Sequence, residues 1–293
     1  MSEVLGFIGL GTMGRPMAEN LIKGGYSLVV YDPSSAATKS LAKLGAVVVG
    51  APAEVTQQSR TIILMLPDSP QVEEVVLGDS GLLKTITDGT LVADMSTISP
   101  SVAQRIAEML RKKGCGFVDA PVSGGPAGAA QASLTIMVGG RQEDFDQLAP
   151  VFQKLGKTIT HVGEVGSGQA VKLCNQIMVT VNLMAVCEAL SLAKGQGIDP
   201  ETMCSVLKGG AANSWMLENM AHRMINDDPS AGFRIDLQLK DLRLALEAAF
   251  EKSVPLPATS LVTQLYLEAR AHGGGGDGNQ ALYRVYDRLI GSK

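Results

Sequence analysis

Cysteine is scarce in this chain of 293 residues: its four copies, Cys115, Cys174, Cys187 and Cys204, form no C-x-x-C pair. So few, so far apart, give no disulfide framework and no redox motif, and free thiols in a reducing, cytoplasmic compartment are expected. Histidine is scarcer. His161, His222 and His272 are widely separated and lack i, i+4 partners, so no metal site is expected. Aromatic residues make up only 4% of the chain, which argues against a base-stacking surface. The formal net charge is −4, which supplies no general attraction to nucleic acid or to anionic membranes. There is no G-x-S-x-G elbow, and no His stands where a serine hydrolase would need one. The opening MSEVLGFIGLG carries an acidic residue and no basic n-region, so no secretory signal is expected. Even the most apolar stretch, residues 173–193, is broken by Asn175, Gln176, Asn182 and Glu188. It reads as a buried helix and not as a membrane span.

Apolar residues, by contrast, are plentiful at 45%, and with so small a net charge they exclude a disordered chain. At about 150 residues per domain, the length suggests two domains. The first half alternates apolar runs with helical patterns. Strands are expected at 4–8, 27–31, 47–49, 61–66, 91–94, 117–119, 134–138 and 158–162, with helices at about 13–23, 36–44 and 100–113. The run TIILML at 61–66 is apolar throughout, as a strand covered on both faces should be. Such alternation implies parallel βαβ units with right-handed crossovers. After His161 the pattern changes. VGEVGSGQ reads as a linker, and helices are expected at about 169–194, 200–207, 215–225, 236–251, 257–272 and 280–290. GGGGDG at 273–278 reads as a flexible loop.

The first chemical motif is Gly9-Leu10-Gly11-Thr12-Met13-Gly14, which follows a strand and opens a helix. In that setting Gly9 permits the tight turn, Gly11 lets the backbone approach a pyrophosphate, and Gly14 lets helix and strand pack closely. The free N–H groups of the helix start then face the phosphates. Asp32 ends the second strand about twenty residues later, where an acid holds the adenosine ribose hydroxyls. Its charge opposes a 2′-phosphate, and Pro33, Ser34 and Ser35 bring no Arg, so NAD(H) is expected over NADP(H). The fold class is therefore α/β, a Rossmann-type domain over 1–163. An all-helical domain follows over 164–293, opening on the long helix at about 169–194.

Ligands of open parallel sheets bind beyond the carboxyl ends of the strands. Leu66-Pro67 and the loop at Thr97 stand at such ends, positions that an ordinary strand-to-loop transition would also occupy. In DAPVSGGP, Ser123-Gly124-Gly125 offers a hydroxyl and approachable N–H groups, suited to an anion such as a carboxylate or to a plain turn. Lys172 and Asn175 share one face of an apolar helix. A Lys there either snorkels to water or is held in a cleft, where a desolvated ammonium suits acid–base work. Lys240 borders the apolar stripe Ile235, Leu239, Leu242 and Leu246, which by pattern alone makes it a solvated flank.

Taken in order, these segments resemble the β-hydroxyacid dehydrogenases, the 3-hydroxyisobutyrate dehydrogenase family. The resemblance rests on GFIGLGTMGRPMAENL at 6–21, MLP at 65–67, DMSTI at 94–98, DAPVSGGPAGA at 119–129, GQAVKLCNQ at 168–176 and FRIDLQLKDLRLAL at 233–246. The last is most similar to the branch of tartronate semialdehyde (2-hydroxy-3-oxopropionate) reductases. The resemblance implies reversible hydride transfer between a nicotinamide cofactor and a short 3-hydroxy acid, with tartronate semialdehyde reduced to glycerate. It implies Lys172 as the catalytic residue. Ser123, Gly124, Gly125, Asn175 and Gln176 would bind substrate, and Lys240 would lie near both nicotinamide and substrate. Gly9, Gly11, Thr12, Met13, Gly14, Asp32, Leu66, Pro67 and Thr97 would contact the cofactor.

The stretch GGAANSWMLENM at 209–220 departs from that branch towards enzymes of longer hydroxy acids, leaving 3-hydroxyisobutyrate and other 3- or 4-hydroxy acids open. A non-catalytic NAD(P)-binding relative or an imine reductase would lack Lys172. A decarboxylating enzyme of the 6-phosphogluconate type would need a larger basic set for its phosphate. The apolar surplus of the long helix, at Ile177, Met178, Val181, Met184 and Val186, predicts a homo-oligomer, dimer or tetramer.

Overall fold

The computed structural model describes residues 3–291. By its contacts the chain divides into two units, one ending at Lys172 and the other beginning at Leu173. In the first unit β1 (Val4–Ile8), α1 (Gly14–Lys23), β2 (Ser27–Tyr31), α2 (Ser35–Ala42), β3 (Val47–Val48), α3 (Pro52–Val55), β4 (Thr61–Leu64) and α4 (Ser69–Leu77) come first. Then follow β5 (Leu91–Asp94), α5 (Pro100–Arg111), β6 (Gly116–Asp119), β7 (Val122–Ser123), α6 (Gly125–Ala130), β8 (Leu134–Gly139), α7 (Gln142–Phe152) and β9 (Gly156–Gly163).

The sheet order is β3-β2-β1-β4-β5-β6-β8-β7, with β9 paired to β8. The first six strands are parallel and doubly wound, and the order reverses between β1 and β4, which puts a crevice at their carboxyl ends. Alternation within each strand covers both faces. Leu5, Phe7, Val30, Ile63 and Val118 pack into one layer with α1, while Ile8, Val29, Ile62, Leu64 and Phe117 pack into the other with α4 and α5.

Parallel pairing fails after β6. β8 runs antiparallel to both β6 and β7, and only β9 regains a parallel neighbour, through the α7 crossover. The two-residue β7 and the six-residue, Gly- and Ala-rich α6 carry too little periodicity to be read in advance. β4 stops at Leu64 rather than at Leu66, because the Leu66 N–H is taken by the Ser96 hydroxyl at 2.8 Å and not by a strand.

α8 (Ser167–Gly195) starts in the first unit and continues through the second. The Gly-rich segment expected to act as a linker is mostly absorbed by β9 and α8, so the division by contacts falls inside the helix, where 163/164 had been expected. In the second unit α9 (Pro200–Lys208), α10 (Trp215–Ile225), α11 (Ile235–Glu251), α12 (Pro257–Ala271) and α13 (Tyr283–Leu289) follow. Leu183, Cys187 and Leu190 of α8 meet Leu217 and Met224 of α10, Leu239 and Leu242 of α11, and Val262 and Tyr266 of α12 in one core. Among the described residues, α8 alone is long and apolar enough to cross a membrane by length and composition; its contacts make it the core helix of this bundle.

GGGGDG is not a flexible loop. Gly274–Gly276 forms a 3-10 turn, and a Cβ on Gly275 would come within 2.7 Å of the Asp236 carboxylate, so the glycine run permits close packing on α11.

Candidate active site

The Gly-rich turn is built from three glycines with different reasons. Gly9 has φ +95°, and a Cβ there would collide with the Met65 carbonyl; a Cβ on Gly14 would collide with the Gly9 carbonyl. Both are demanded by the fold. Gly11 is not: its φ is not positive, and a Cβ there would meet nothing within 4 Å. The protein leaves open the space that a pyrophosphate would use. α1 begins with no side-chain cap and no acidic residue in its first turn, whereas Asp68 caps α4 and Asp199 caps α9. An uncapped, solvent-facing helix start is suited to an anion. Thr12 is exposed and Met13 half-buried at that start.

Asp32 lies beside this turn. Its Oδ2 accepts the Leu10 N–H at 2.6 Å and its Oδ1 the Ser34 N–H at 2.7 Å, so the carboxylate is fixed at the end of β2. These features fit a dinucleotide: an open cradle at Gly11, a helix start with no side-chain cap, and an acid held rigidly at the end of β2.

A second group of residues gathers beyond β4, β5 and β6. Ser96 accepts the Leu66 N–H, and its own N–H bonds to Asp94 Oδ1 at 3.0 Å. Gln169, fully buried on the first turn of α8, donates to the Ser96 carbonyl at 2.8 Å and accepts the Ile98 N–H at 3.0 Å. Its amide thus bridges the loop on either side of Thr97. The same turn is held from below by Asp119, whose oxygens accept the Gly166 and Gln169 N–H groups at 2.7 Å each. Asp119 is fully buried, and burial raises its carboxyl from 3.8 to about 7, against the lowering effect of those two N–H bonds; Asp94 on the neighbouring strand adds like charge. Lys172, one turn further along α8, is only 7% exposed.

Ser123, Gly124 and Gly125 form the turn from β7 into α6, with φ +131° at Gly124 and +61° at Gly125. Few residues but Gly follow such a path, and a Cβ on Gly125 would meet nothing within 4 Å. Pro67 is exposed between Leu66 and the α4 cap.

The second unit draws Asn175, Gln176 and Lys240 together around a residue the sequence did not single out. Buried Asp241 accepts the Gln176 amide at 2.5 Å and pairs with the Lys240 ammonium at 2.8 Å. Gln176 in turn accepts the Asn175 amide at 2.8 Å. Lys240 is no solvated flank: its side chain is 14% exposed. The stripe pattern misplaced it because its charge is matched from the adjacent position. Asp119, Gln169 and Asp241 all stand inside motifs quoted above, yet nothing in their spacing marks them.

Residues 4–163 match the family "NAD binding domain of 6-phosphogluconate dehydrogenase", and residues 166–286 match "NAD-binding of NADP-dependent 3-hydroxyisobutyrate dehydrogenase". The chain is 43% identical over 289 residues to the 2-hydroxy-3-oxopropionate reductase of Escherichia coli, covering 99% of each. It is 40% identical to the 2-(hydroxymethyl)glutarate dehydrogenase of Eubacterium barkeri, covering 98% of this chain and 96% of that one. A solved 3-hydroxyisobutyrate dehydrogenase of Mycobacterium tuberculosis with L-serine superposes with a TM-score of 0.90 at 30% identity, covering 97% and 99% of the two chains. Fold and site define an oxidoreductase that uses a nicotinamide cofactor. The chain belongs to the 3-hydroxyisobutyrate dehydrogenase family of NAD(P)-dependent β-hydroxyacid dehydrogenases.

Proposed function

We propose that the protein reduces tartronate semialdehyde to glycerate, with Lys172 as proton donor and NADH as the preferred reductant. The observation that carries the chemistry is the burial of Lys172, a primary amine almost wholly removed from water on α8. The likeness to the E. coli 2-hydroxy-3-oxopropionate reductase supports the choice of substrate. When bound, the nicotinamide supplies the hydride that adds to the aldehyde carbon in the reducing direction. As the C=O π electrons move onto oxygen, the Lys172 ammonium stabilises the growing negative charge and then transfers its proton, leaving a hydroxyl and a neutral amine that water reprotonates. Ser123 and the backbone N–H groups of Gly124 and Gly125 bind the substrate carboxylate. Asn175, oriented by Gln176, and Lys240, held by Asp241, bind the remaining substrate oxygens.

A panel of short semialdehydes and 3-hydroxy acids, ranked by kcat/KM, tests the substrate. Tartronate semialdehyde is expected to lead; a methyl-substituted or longer acid in first place overturns that choice in favour of 3-hydroxyisobutyrate or a 4-hydroxy acid. The four cysteines are free, and we place the enzyme in the cytoplasm. We also infer a homo-oligomer in which a second copy covers α8: its most apolar stretch is only 44% buried, and Met178 is 62% exposed. Light scattering at micromolar concentration is expected to give a dimer or tetramer, and a stable monomer overturns this.

A further inference from the structure

The turn that begins α8 is held in an unusual way. Its capping position is Gly166, whose carbonyl accepts the first helical bond from the Ala170 N–H at 2.9 Å. A glycine has no side chain to satisfy the free N–H groups of the first turn. Asp119, from the end of β6, takes them instead: it accepts from Gln169, three residues past the cap, the bond an N-cap side chain would normally make. The approach is close enough to require glycine on both sides. A Cβ on Gly168 would lie 2.6 Å from the Asp119 carbonyl, and one on Gly139 would lie 2.6 Å from Asp119 Oδ1. This turn therefore cannot slide on the sheet.

Gln169, locked by that contact, clasps the loop across Thr97 through its donor to Ser96 and its acceptor from Ile98. The same loop holds Leu66 through the Ser96 hydroxyl. We propose that Asp119 and Gln169 are positioning residues for the reaction: one rigid turn fixes Lys172 on its helical side and the Thr97 and Leu66 loops on the other. Neither residue touches the reacting atoms. Each acts by setting where the proton donor stands relative to the loops beyond β4 and β5. The inference rests on Lys172 being the proton donor.

Gln169→Met keeps the side chain's size and removes both hydrogen bonds to the loop. With the donor displaced by even about 1 Å, kcat is expected to fall roughly tenfold to a hundredfold. NADH affinity, set chiefly by the turn at 9–14 and by Asp32, is expected to weaken less than kcat falls, by the share that Leu66 and Thr97 hold. The decisive measurement is a double-variant cycle. If Gln169 acts through Lys172, then Gln169→Met adds no further loss of kcat to Lys172→Ala. A merely structural Gln169 gives a different pattern: a lower Tm with a kcat near that of wild type in the folded enzyme, or, where kcat does fall, a loss that multiplies with that of Lys172→Ala in the double variant. Asp119→Asn, whose amide offers one acceptor where two are used, is expected to lower kcat in the same non-multiplying way. Should Gln169→Met fold poorly, Gln169→Glu keeps the acceptor for Ile98, loses the donor to Ser96, and gives the same reading. Turnover near that of wild type in Lys172→Ala overturns the proton-donor assignment, and the clasp with it. Loss in Lys172→Ala without loss in Gln169→Met overturns the clasp alone.

Discussion

In the proposed reaction Lys172 and Asp32 do opposite electrostatic work. The Lys172 ammonium has little bulk water to screen it, so its charge would act strongly on an oxygen that becomes negative beside it. Lys172→Ala is expected to lower kcat by about 10²- to 10⁴-fold, or about 3–5 kcal/mol of barrier, with NADH affinity nearly unchanged. Lys172→Arg is expected to rescue little: the guanidinium keeps the charge but does not release its proton and is broader. Steady-state kinetics with an NADH titration check both, and equal losses of turnover and cofactor binding would contradict the assignment. Asp32 is a fixed anion, held through both oxygens by the backbone of residues 10 and 34. It cannot swing away from a 2′-phosphate, so kcat/KM is expected to favour NADH over NADPH. A wild-type preference for NADPH would show that the carboxylate is tolerated or moved. Asp32→Ser is expected to narrow the ratio.

Among the elements, the turn between β1 and α1 separates what the fold needs from what the ligand needs. Gly14→Ala forces a Cβ against the Gly9 carbonyl and is expected to lower Tm before it affects binding. Gly11→Ala puts a methyl into open space and is expected to leave Tm within about 1 °C while weakening NADH binding at least tenfold. Paired thermal melts and NADH titrations check this; a Gly11→Ala variant that binds normally would mean the cradle is not used. This turn, the central strands and the helices of the second unit were all legible in the sequence, because each carries either a fixed spacing or a sustained period. α6 and β7 were not, since two- and six-residue elements have no period to read; the strand at 134–138 was legible but its reversed direction was not, and the helices α4 and α7 were not read either. Asp119, Gln169 and Asp241 were invisible for a different reason. Their hydrogen-bond partners lie 47 to 73 residues away, so their roles exist only once α8 has met the sheet, for Asp119 and Gln169, and α11, for Asp241.

Across the whole molecule, Asp119 makes the stability of the first unit depend on pH in a direction opposite to that of most carboxylates. Its carboxyl stands at about 7 in the folded chain against 3.8 when free. Between these values the native state keeps a proton that the unfolded chain has released. Stability therefore falls as pH rises through that window, by up to roughly 1.4 kcal/mol per pH unit from this one group. The contribution is complete below about pH 4 and has gone once the folded carboxyl ionises above about pH 7. An ordinary surface carboxylate paired with Arg or Lys behaves in the reverse sense, so a melting curve of the wild type alone mixes both. The comparison with Asp119→Asn removes most of the mixture, because the groups other than Asp94, which feels the Asp119 charge, titrate alike in the two proteins. The Tm of the wild type minus that of Asp119→Asn is expected to shrink steadily from pH 5 to pH 8, since the variant's amide does not titrate. A difference that stays constant over that range, or grows, would mean that Asp119 is ionised throughout. The N–H groups of Gly166 and Gln169 would then outweigh its burial.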